Sequence, residues 1–325
     1  MHIRSIVPAD GAYLDRILYA TYEIWHDGLS RESYRRYWAA QRRTSWGRSH
    51  LDRVALVDGD TVLASAKRYR FDATLDGKPL RVIGLGAIFT QPEHRRSGAA
   101  RHLVEEIVAA AAAEGIALAL LFSEIGANYY ARLGFTAIAT HDVQLRVTES
   151  TRHGAPMTMV RAGEERDLAD IVAMGALRAA GYRFHLERGR DLVQYAIAKR
   201  RLLAGFGPAG AREVQFFIAE EGASAVAYIV ISAHGGEWTI EECGDRDPGG
   251  ARLGALLQVL IARDPAERRP VIRGALPHGF MPPQLAAISS APSPEIMMVR
   301  ALNADASAAL SLREEEILYW KGDRF

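Results

Sequence analysis

A basic stretch rich in small residues lies between an apolar run and a long helical pattern in the first third of the chain. Residues 91–103 read QPEHRRSGAARHL, directly after VIGLGAIFT. Gly98 is expected to open a helix, whose first amides lack intrahelical partners and carry partial positive charge. Small side chains let an anion approach these amides, and Arg95 and Arg96 add cationic donors beside them. The stretch predicts a pyrophosphate-binding loop, although a small-residue helix packed tightly on a sheet is the alternative.

The strand before this loop offers a second binding edge. It ends in Ile88, Phe89 and Thr90, whose backbone groups could hydrogen-bond an extended chain that carries amides. A ligand with a diphosphate and a peptide-like arm fits both features, and coenzyme A has both.

Hydrophobic periodicity places the loop in an α/β unit. The predicted order is β-α-α-β-β-β-α-β-α-β-β, beginning with a strand at 2–6 and closing with strands at 135–140 and 143–147. The loop then lies between a strand and the helix at 98–114.

A stretch at 150–157, rich in Ser, Thr, Gly and Pro, predicts a linker. A similar but weaker order of elements follows it. A proline-rich loop is expected at 275–294, with closing strands at 295–301 and 316–320. The predicted domains are therefore residues 1–149 and 150–325.

A second motif lies downstream of the loop. Residues 128–135 read NYYARLGF, which contains Y-x-x-x-G-F after a predicted buried strand. Together with RRSGAA at 95–100, this resembles the GNAT acetyltransferases, whose motif A is Q/R-x-x-G-x-G/A and whose motif B carries Y-x-x-x-G-F/Y. The resemblance covers about the first 145 residues. Ala100 stands where glycine is commoner in the family, and it slightly narrows the loop.

The weaker second unit resembles that of tandem GNAT proteins, such as the Eis aminoglycoside acetyltransferases and the fungal lysine acetyltransferases. The resemblance implies an α/β fold with a complete N-terminal GNAT unit and a degenerate second one, both mixed sheets flanked by helices. The second unit reads GDRDPGG at 244–250, with two aspartates where phosphates would lie. Since like charges repel, it is not expected to bind the cofactor and is expected to complete the acceptor cleft.

The resemblance implies direct transfer of the acetyl group of acetyl-CoA to a primary amine of a small molecule, such as an amino acid or an aminoglycoside-like amine. Tyr130 would protonate the departing thiolate. Alternatively it is a core aromatic beside Phe135. Tyr129 competes for the role, but its spacing to Gly134 is off by one. The residues expected to hold the cofactor are Ile88, Phe89, Thr90, Arg95, Arg96, Ser97, Gly98, Ala99, Ala100 and Ser123.

The general base is not evident in the sequence. Many GNAT enzymes carry a glutamate on the strand before motif A, but here that strand reads GLGAI at 84–88. In Eis-like enzymes a C-terminal carboxylate enters the active site, and Phe325 resembles that arrangement. A water chain and a frayed terminus are the alternatives.

The acceptor wall is expected to come from the first two helices and to include Trp25, His26 and Trp38. Core packing would explain these aromatic residues equally well. Glu124 is the candidate acidic residue near the cleft, where its carboxylate would suit a cationic amine.

Composition narrows the function classes. A formal net charge of +1 argues against a nucleic-acid partner, and a single cysteine rules out an intrachain disulfide. No run approaches the ~20 apolar residues of a membrane span, and no metal-ligand spacing is visible. A cytoplasmic enzyme of unpredicted oligomeric state is expected. The alternatives are a non-catalytic acyl-CoA sensor, a protein N-acetyltransferase and a tRNA-dependent transferase. The retained loop and tyrosine favour an enzyme.

Overall fold

The computed structural model describes residues 4–148 and 159–325, so the predicted linker at 150–157 lies outside the described residues. Along the first range the strands are β1 (Arg4–Pro8), β2 (Leu51–Asp58), β3 (Thr61–Leu75), β4 (Lys78–Thr90), β5 (Leu118–Ser123), β6 (Thr136–Ile138) and β7 (His141–Val147). The helices there are α1 (Gly11–Trp25), α2 (Arg31–Arg43), α3 (Ser45–His50), α4 (Ala99–Ala113) and α5 (Asn128–Ala131).

The second described range repeats this mixture of strands and helices. Its strands are β8 (Met159–Ala162), β9 (Phe184–Leu186), β10 (Arg212–Glu221), β11 (Ser224–His234), β12 (Glu237–Asp245), β13 (Val271–Gly274), β14 (Leu285–Pro292), β15 (Ile296–Ala301) and β16 (Ile317–Leu318). Its helices are α6 (Leu168–Ala179), α7 (Arg190–Phe206) and α8 (Ala251–Ile261).

Two compact units make up the chain. Unit 1 contains Met1–Ala139, Pro294–Arg313 and Phe325, and unit 2 contains Thr140–Ser293 and Glu314–Arg324. In this division the first change of unit falls between Ala139 and Thr140, and Pro294–Arg313 and Phe325 return to unit 1, whereas the sequence predicts a single boundary between 149 and 150.

The main sheets of the two units have the same strand order. In unit 1 the order is β1-β2-β3-β4-β5-β15-β6, and in unit 2 it is β8-β10-β11-β12-β13-β7-β14. β4 and β5 run parallel, as do β12 and β13 at the equivalent position, and the other pairs in both series are antiparallel. The expectation of an α/β fold with two related units is confirmed.

Each sheet takes one strand from the other half of the sequence. β15 lies between β5 and β6, with Ile296 opposite Ser123 and Ala301 opposite Leu118. β7 lies between β13 and β14. The prediction that β7 closes the first unit and β15 the second was therefore wrong. The predicted loop at 275–294 also contains a strand, β14, because β7 supplies it with an antiparallel partner.

The core of unit 1 forms where α4 packs against β2, β3 and β4. The buried residues of α4 recur at intervals of three and four, which places them on one helix face. These residues are Ala99, Leu103, Val104, Ile107, Val108 and Ala111. α1 covers the opposite face of the sheet, where Ile17 packs against Ala55 and Val57 of β2. The helices thus hold β3 and β4 from both sides.

Removing the Leu103 side chain should test how far this core stabilises unit 1. Leu103 is 0% exposed, so Leu103→Ala leaves a cavity and should lower the free energy of unfolding by about 2–5 kcal/mol. Leu310 is 42% exposed, so Leu310→Ala should cost well under half as much. Urea unfolding monitored by circular dichroism measures both. Equal costs for the two variants would contradict the assigned core.

Candidate functional site

The central feature of unit 1 is the point where β4 and β5 separate. The two strands pair in parallel from Val82 opposite Leu118 to Leu85 opposite Leu121. Two residues later, Ala87 has a φ of +45°, in the left-handed region that non-glycine residues rarely adopt. The facing β3 ladder also shifts register there. Beyond Ala87, β4 stays paired with β3 as far as Thr90. The edge of β4 that faces β5 makes no further pairs in the described β4–β5 ladder after Leu85, and we call this the open edge of β4.

The predicted pyrophosphate loop follows directly. β4 leads into a short turn of 3₁₀ helix, and Gly98, with a φ of +79°, precedes the first residue of α4. The helix has no side-chain cap and no acidic residue in its first turn. Its first amides are thus available to an anion. The Ser97 hydroxyl donates to the His94 carbonyl oxygen at 2.6 Å and holds the turn.

The two arginines of the loop are placed to contact such an anion. Arg95 and Arg96 are exposed, and Arg96 has a left-handed φ of +63°. Neither side chain makes an ion pair or hydrogen bond within residues 4–148 and 159–325. An extra Cβ on Gly98 would meet no atom within 4 Å, so the space in front of the helix is open. Together with the open edge of β4, this arrangement fits coenzyme A.

The equivalent helix start in unit 2 is closed by the protein itself. Gly250, with a φ of +74°, precedes α8 in the same way that Gly98 precedes α4. The Asp245 carboxylate accepts hydrogen bonds from the backbone amides of Asp247 and Leu253, both at 2.8 Å. Phe280 would lie 2.8 Å from an added Cβ on Gly250. A carboxylate and an aromatic ring thus occupy the space that a phosphate would need.

Tyr130 lies on α5 with its ring in the core of unit 1. It is 7% exposed and packs edge-to-face against Tyr129 at 5.0 Å and Phe135 at 6.1 Å. Burial raises the pKa of its hydroxyl, and the neighbouring Tyr129 and Glu124 act in the same direction. The hydroxyl is therefore protonated at neutral pH, as a proton donor must be. The core and proton-donor interpretations are compatible.

The predicted acceptor wall is only partly supported. Trp25 is half-buried and lies edge-to-face on Phe89 of β4, with 6.3 Å between ring centroids. His26 stacks on Tyr22 at 5.0 Å, and its Nδ1 accepts a hydrogen bond from the Gly28 amide at 3.0 Å. Trp25 is thus beside the end of β4, whereas His26 stabilises the turn after α1.

Two predicted site residues have structural roles instead. Trp38 is 6% exposed, and its ring packs beneath the cations of Arg53 and Lys67, at 5.1 and 5.3 Å from the ring centroid. Ser123 is 1% exposed, and its hydroxyl donates to the Gly126 carbonyl oxygen at 2.7 Å. Trp38 packs α2 on the sheet, and Ser123 shapes the turn between β5 and α5.

Glu124 is the acidic residue that acts on Tyr130. Glu124 is exposed in the loop after β5, and its pKa is raised first by partial burial and then by the negative charges of Glu295 and Asp27. Glu295 immediately precedes β15, the strand that returns to this sheet from the second half of the chain. Sequence reasoning missed Glu295, since nothing local indicates that β15 pairs with β5.

Phe325 packs into unit 1 rather than fraying from it. Its ring stacks on Tyr69 at 4.5 Å and lies 5.6 Å from Phe122. An added Cβ on Gly84 would lie 2.5 Å from the Phe325 ring, and one on Gly86 would lie 3.1 Å from the Phe325 carboxyl carbon. The two glycines of β4 therefore make the space that Phe325 fills. Its carboxyl group lies over the strand on which many GNAT enzymes carry a glutamate.

Residues 4–148 and 159–325 contain no group of three or more His, Cys, Asp or Glu side chains placed to hold a metal ion. No helix in these same ranges combines the length and the apolar character required to cross a membrane.

Comparison with known families decides the class of the first unit. A model of the acetyltransferase (GNAT) domain matches residues 18–138, which include the loop, the separating strands and Tyr130. Residues 18–138 are a GNAT acetyltransferase domain. The family transfers the acetyl group of acetyl-CoA, which makes acetyl-CoA the cofactor of this domain. No curated protein matches the chain.

Solved structures share the fold over nearly the whole GNAT-containing chain. A GCN5-related N-acetyltransferase from Kribbella flavida is 16% identical with a TM-score of 0.68, covering 96% of this chain and 74% of that one. Eis1 from Mycobacterium abscessus is 16% identical with a TM-score of 0.62, covering 95% and 76%. N-myristoyltransferase from Saccharomyces cerevisiae, with bound myristoyl-CoA, is 8% identical with a TM-score of 0.55, covering 91% and 82%.

Calorimetric titration with acetyl-CoA should distinguish the two helix starts. We expect one binding site per chain, because Asp245 closes the loop of unit 2. Arg95→Ala/Arg96→Ala should weaken binding at least about tenfold by removing charge-assisted hydrogen bonds. The matched control is Arg246→Ala/Arg252→Ala, which removes two arginines of the equivalent loop and helix start in unit 2 and should leave the Kd unchanged. Two sites per chain, or equal effects of both double variants, would contradict this assignment.

Proposed function

We propose that the chain is an N-acetyltransferase whose acceptor is a small-molecule amine that carries positive charge. The observation that supports this substrate class is the negative charge around Glu124, whose carboxylate acts on Tyr130 and is itself influenced by the charges of Asp27 and Glu295. A negative potential on this side of the proton donor attracts a cation and disfavours an anionic acceptor.

Acetyl-CoA would be held along the strand and loop already described. The backbone of Ile88 and Thr90 on the open edge of β4 would bind the pantetheine arm. The first amides of α4, at Ala99 and Ala100, would bind the pyrophosphate, with Arg95 and Arg96 beside it. Acetyl-CoA supplies the activated acyl group as a thioester when bound. The protein fixes its position and excludes water from it.

The transfer requires two proton movements. The acceptor nitrogen forms a bond to the acyl carbon as the carbon–sulfur bond breaks. Tyr130 donates its phenolic proton to the sulfur, and burial keeps that proton in place until the thiolate leaves. The attacking nitrogen must also lose a proton, which requires a base on the acceptor side.

Phe325 is the proposed base. Its carboxyl group lies over Gly86, one residue before the irregularity at Ala87 that begins the open edge of β4. A carboxylate there is close to the strand that would hold the reacting carbonyl. It would take the proton from the nitrogen, which removes the need for a carboxylate side chain on β4 itself.

Tyr130→Phe should test the proton donor. The variant keeps the aromatic ring in the core but has no hydroxyl, so kcat should fall about 10²-fold or more while the KM for acetyl-CoA changes little. Tyr129→Phe is the matched control, and its kcat should stay near the wild-type value. Thiol release measured with a chromogenic disulfide reports both rates. A Tyr130→Phe enzyme with normal kcat would show that the tyrosine is only a core residue.

A panel of amines should identify the acceptor class. The panel contains diamines, amino acids, aminoglycosides, neutral amines and a peptide, each assayed by thiol release. Cationic small amines should be the best acceptors, and Glu124→Gln should raise their KM roughly 2–5-fold, as expected for a partly exposed charge pair. Because the pKa of Glu124 is raised, its charge is lost as pH falls through that raised pKa. As pH is lowered, the wild-type KM for cationic amines should therefore begin to rise at a higher pH than it would if Glu124 had the pKa of an ordinary glutamate.

Glu106→Gln removes an exposed charge elsewhere in unit 1 and should leave these KM values unchanged. Preference for neutral amines would contradict the proposed acceptor class. Acetylation of the peptide alone would assign the chain to protein acetylation. Binding of acetyl-CoA without turnover of any amine would assign it to the acyl-CoA sensors.

A further inference from the structure

Two cationic side chains, Arg53 and Lys67, form a row across the sheet that leads to the carboxyl group of Phe325. In the antiparallel ladders Arg53 of β2 lies opposite Lys67 of β3, and Lys67 lies opposite Gly86 of β4. Directly opposite residues point to the same face, with Cβ atoms about 5 Å apart. The Phe325 carboxyl carbon lies 3.1 Å from the Cβ position of Gly86. Lys67 is therefore the cross-strand neighbour of the position that the Phe325 carboxyl group covers.

The surroundings of this carboxyl group are otherwise mainly aromatic. The Phe325 ring is enclosed by Tyr69, Phe71 and Phe122, with centroid distances of 4.5, 5.7 and 5.6 Å. Removing a carboxylate from water favours its protonated form. A protonated acid cannot accept the proton of an amine. A base in this position therefore needs a nearby positive charge to remain ionised.

Arg53 strengthens the positive charge of this row. It is 3% exposed, its polar neighbours are the hydroxyl groups of Tyr34 and Tyr69, and it makes no ion pair within residues 4–148 and 159–325. Its guanidinium and the Lys67 ammonium lie over the same Trp38 ring. A buried guanidinium without a bonded anion is costly, and a carboxylate nearby lowers that cost.

On the opposite face of the same strands, the cationic side chains are paired with a carboxylate side chain. Arg68 donates two hydrogen bonds to the Asp52 carboxylate, at 2.7 and 3.0 Å, and Arg70 donates a third at 2.9 Å. There the strand that carries the cations faces an acidic side chain on its neighbour. On the Arg53–Lys67 face, the neighbouring strand has Gly86 at the corresponding position, with the Phe325 carboxyl group above it.

We propose that Lys67, supported by Arg53, is a positioning residue that keeps the Phe325 carboxylate ionised and fixed over β4. This inference rests on the proposed role of Phe325 as the base. Other titratable groups on this face of the sheet are Tyr69 on β3, Tyr34 and Tyr37 on α2, and His50, which stacks on Trp46 of α3. Burial raises the pKa of Tyr69 and keeps it neutral, so Lys67 and Arg53 are the cations that β2 and β3 contribute on this face. Arg324, and Lys199, whose Nζ donates to the Arg324 carbonyl oxygen at 2.6 Å, are further cations beside the residue that precedes Phe325.

Carbon-13 NMR can observe this carboxylate directly in the 325-residue chain. Labelling with carboxyl-labelled phenylalanine marks ten carbons, and the Phe325 carboxyl carbon alone among them changes its chemical shift through its own ionisation. In the wild type the carboxylate should stay ionised to about pH 4, near the ordinary range of an α-carboxyl group. Lys67→Met should raise the titration midpoint by about one pH unit, because a nearby cation is lost. Lys67→Arg should restore it.

The same variants should change the pH profile of the enzyme in the same direction. Since a base is active when deprotonated, the acid limb of kcat/KM should move to higher pH in Lys67→Met and return in Lys67→Arg. Arg68→Met is the matched control, because it removes one positive charge from the adjacent residue on the opposite face. It should shift neither the NMR midpoint nor the acid limb.

A chain extended by one glycine after Phe325 separates this inference from the proposed function. If the extension leaves the rate unchanged while Lys67→Met still moves the NMR midpoint, the ionisation role of Lys67 stands and Phe325 is not the base. If the extension abolishes turnover but Lys67→Met leaves the midpoint in place, the base stands and the role of Lys67 is refuted. A midpoint that moves equally in Arg68→Met also refutes it, since the effect would then be one of net charge.

Discussion

The separation of β4 from β5 is the constraint on which the rest of unit 1 depends. Parallel pairing holds the strands together up to Leu85, and the left-handed backbone at Ala87 then releases the far edge of β4. In the proposed complex that edge would give backbone groups to the arm of the cofactor, and the strand leads the chain to the helix start at Gly98. Strand pairing, the loop and the helix dipole would thus act on one extended ligand because one irregularity aligns them.

The two units show that a shared fold does not preserve a shared site. Gly98 and Gly250 adopt nearly the same backbone conformation before α4 and α8. At α4 the first amides have no acidic neighbour, whereas at α8 the Asp245 carboxylate already accepts from the helix amide of Leu253. An internal carboxylate is permanently present at high effective concentration, so an external phosphate cannot compete well. A few side chains therefore decide which helix start binds a cofactor.

The sequence predicted those parts of the protein that local chemistry determines. The helix start at Gly98 and the tyrosine on α5 are encoded within a few residues, and both lie where the motif spacing indicates. The assignment of β7 and β15 to sheets could not be predicted, because short alternating strands fit either sheet and pairing is a long-range choice. Glu295 depends on that choice. Trp38 was misassigned because an aromatic residue on an amphipathic helix has the same pattern in a core as in a cleft.

A carboxylate can be brought to β4 either by a glutamate on the strand or by the carboxyl group of Phe325 packed over Gly86. The two arrangements exclude each other. A side chain at Gly86 would have its Cβ 3.1 Å from the Phe325 carboxyl carbon and 3.2 Å from an oxygen of that group, so a glutamate there would displace Phe325. A glutamate on a strand is held by its own backbone and needs no further support. A carboxylate carried by Phe325 must instead be fixed by packing, and the stacked rings of Tyr69 and Phe71 provide that packing where Gly84 leaves room. In the proposed mechanism the absence of a carboxylate from GLGAI is thus the steric condition for Phe325 to supply the base.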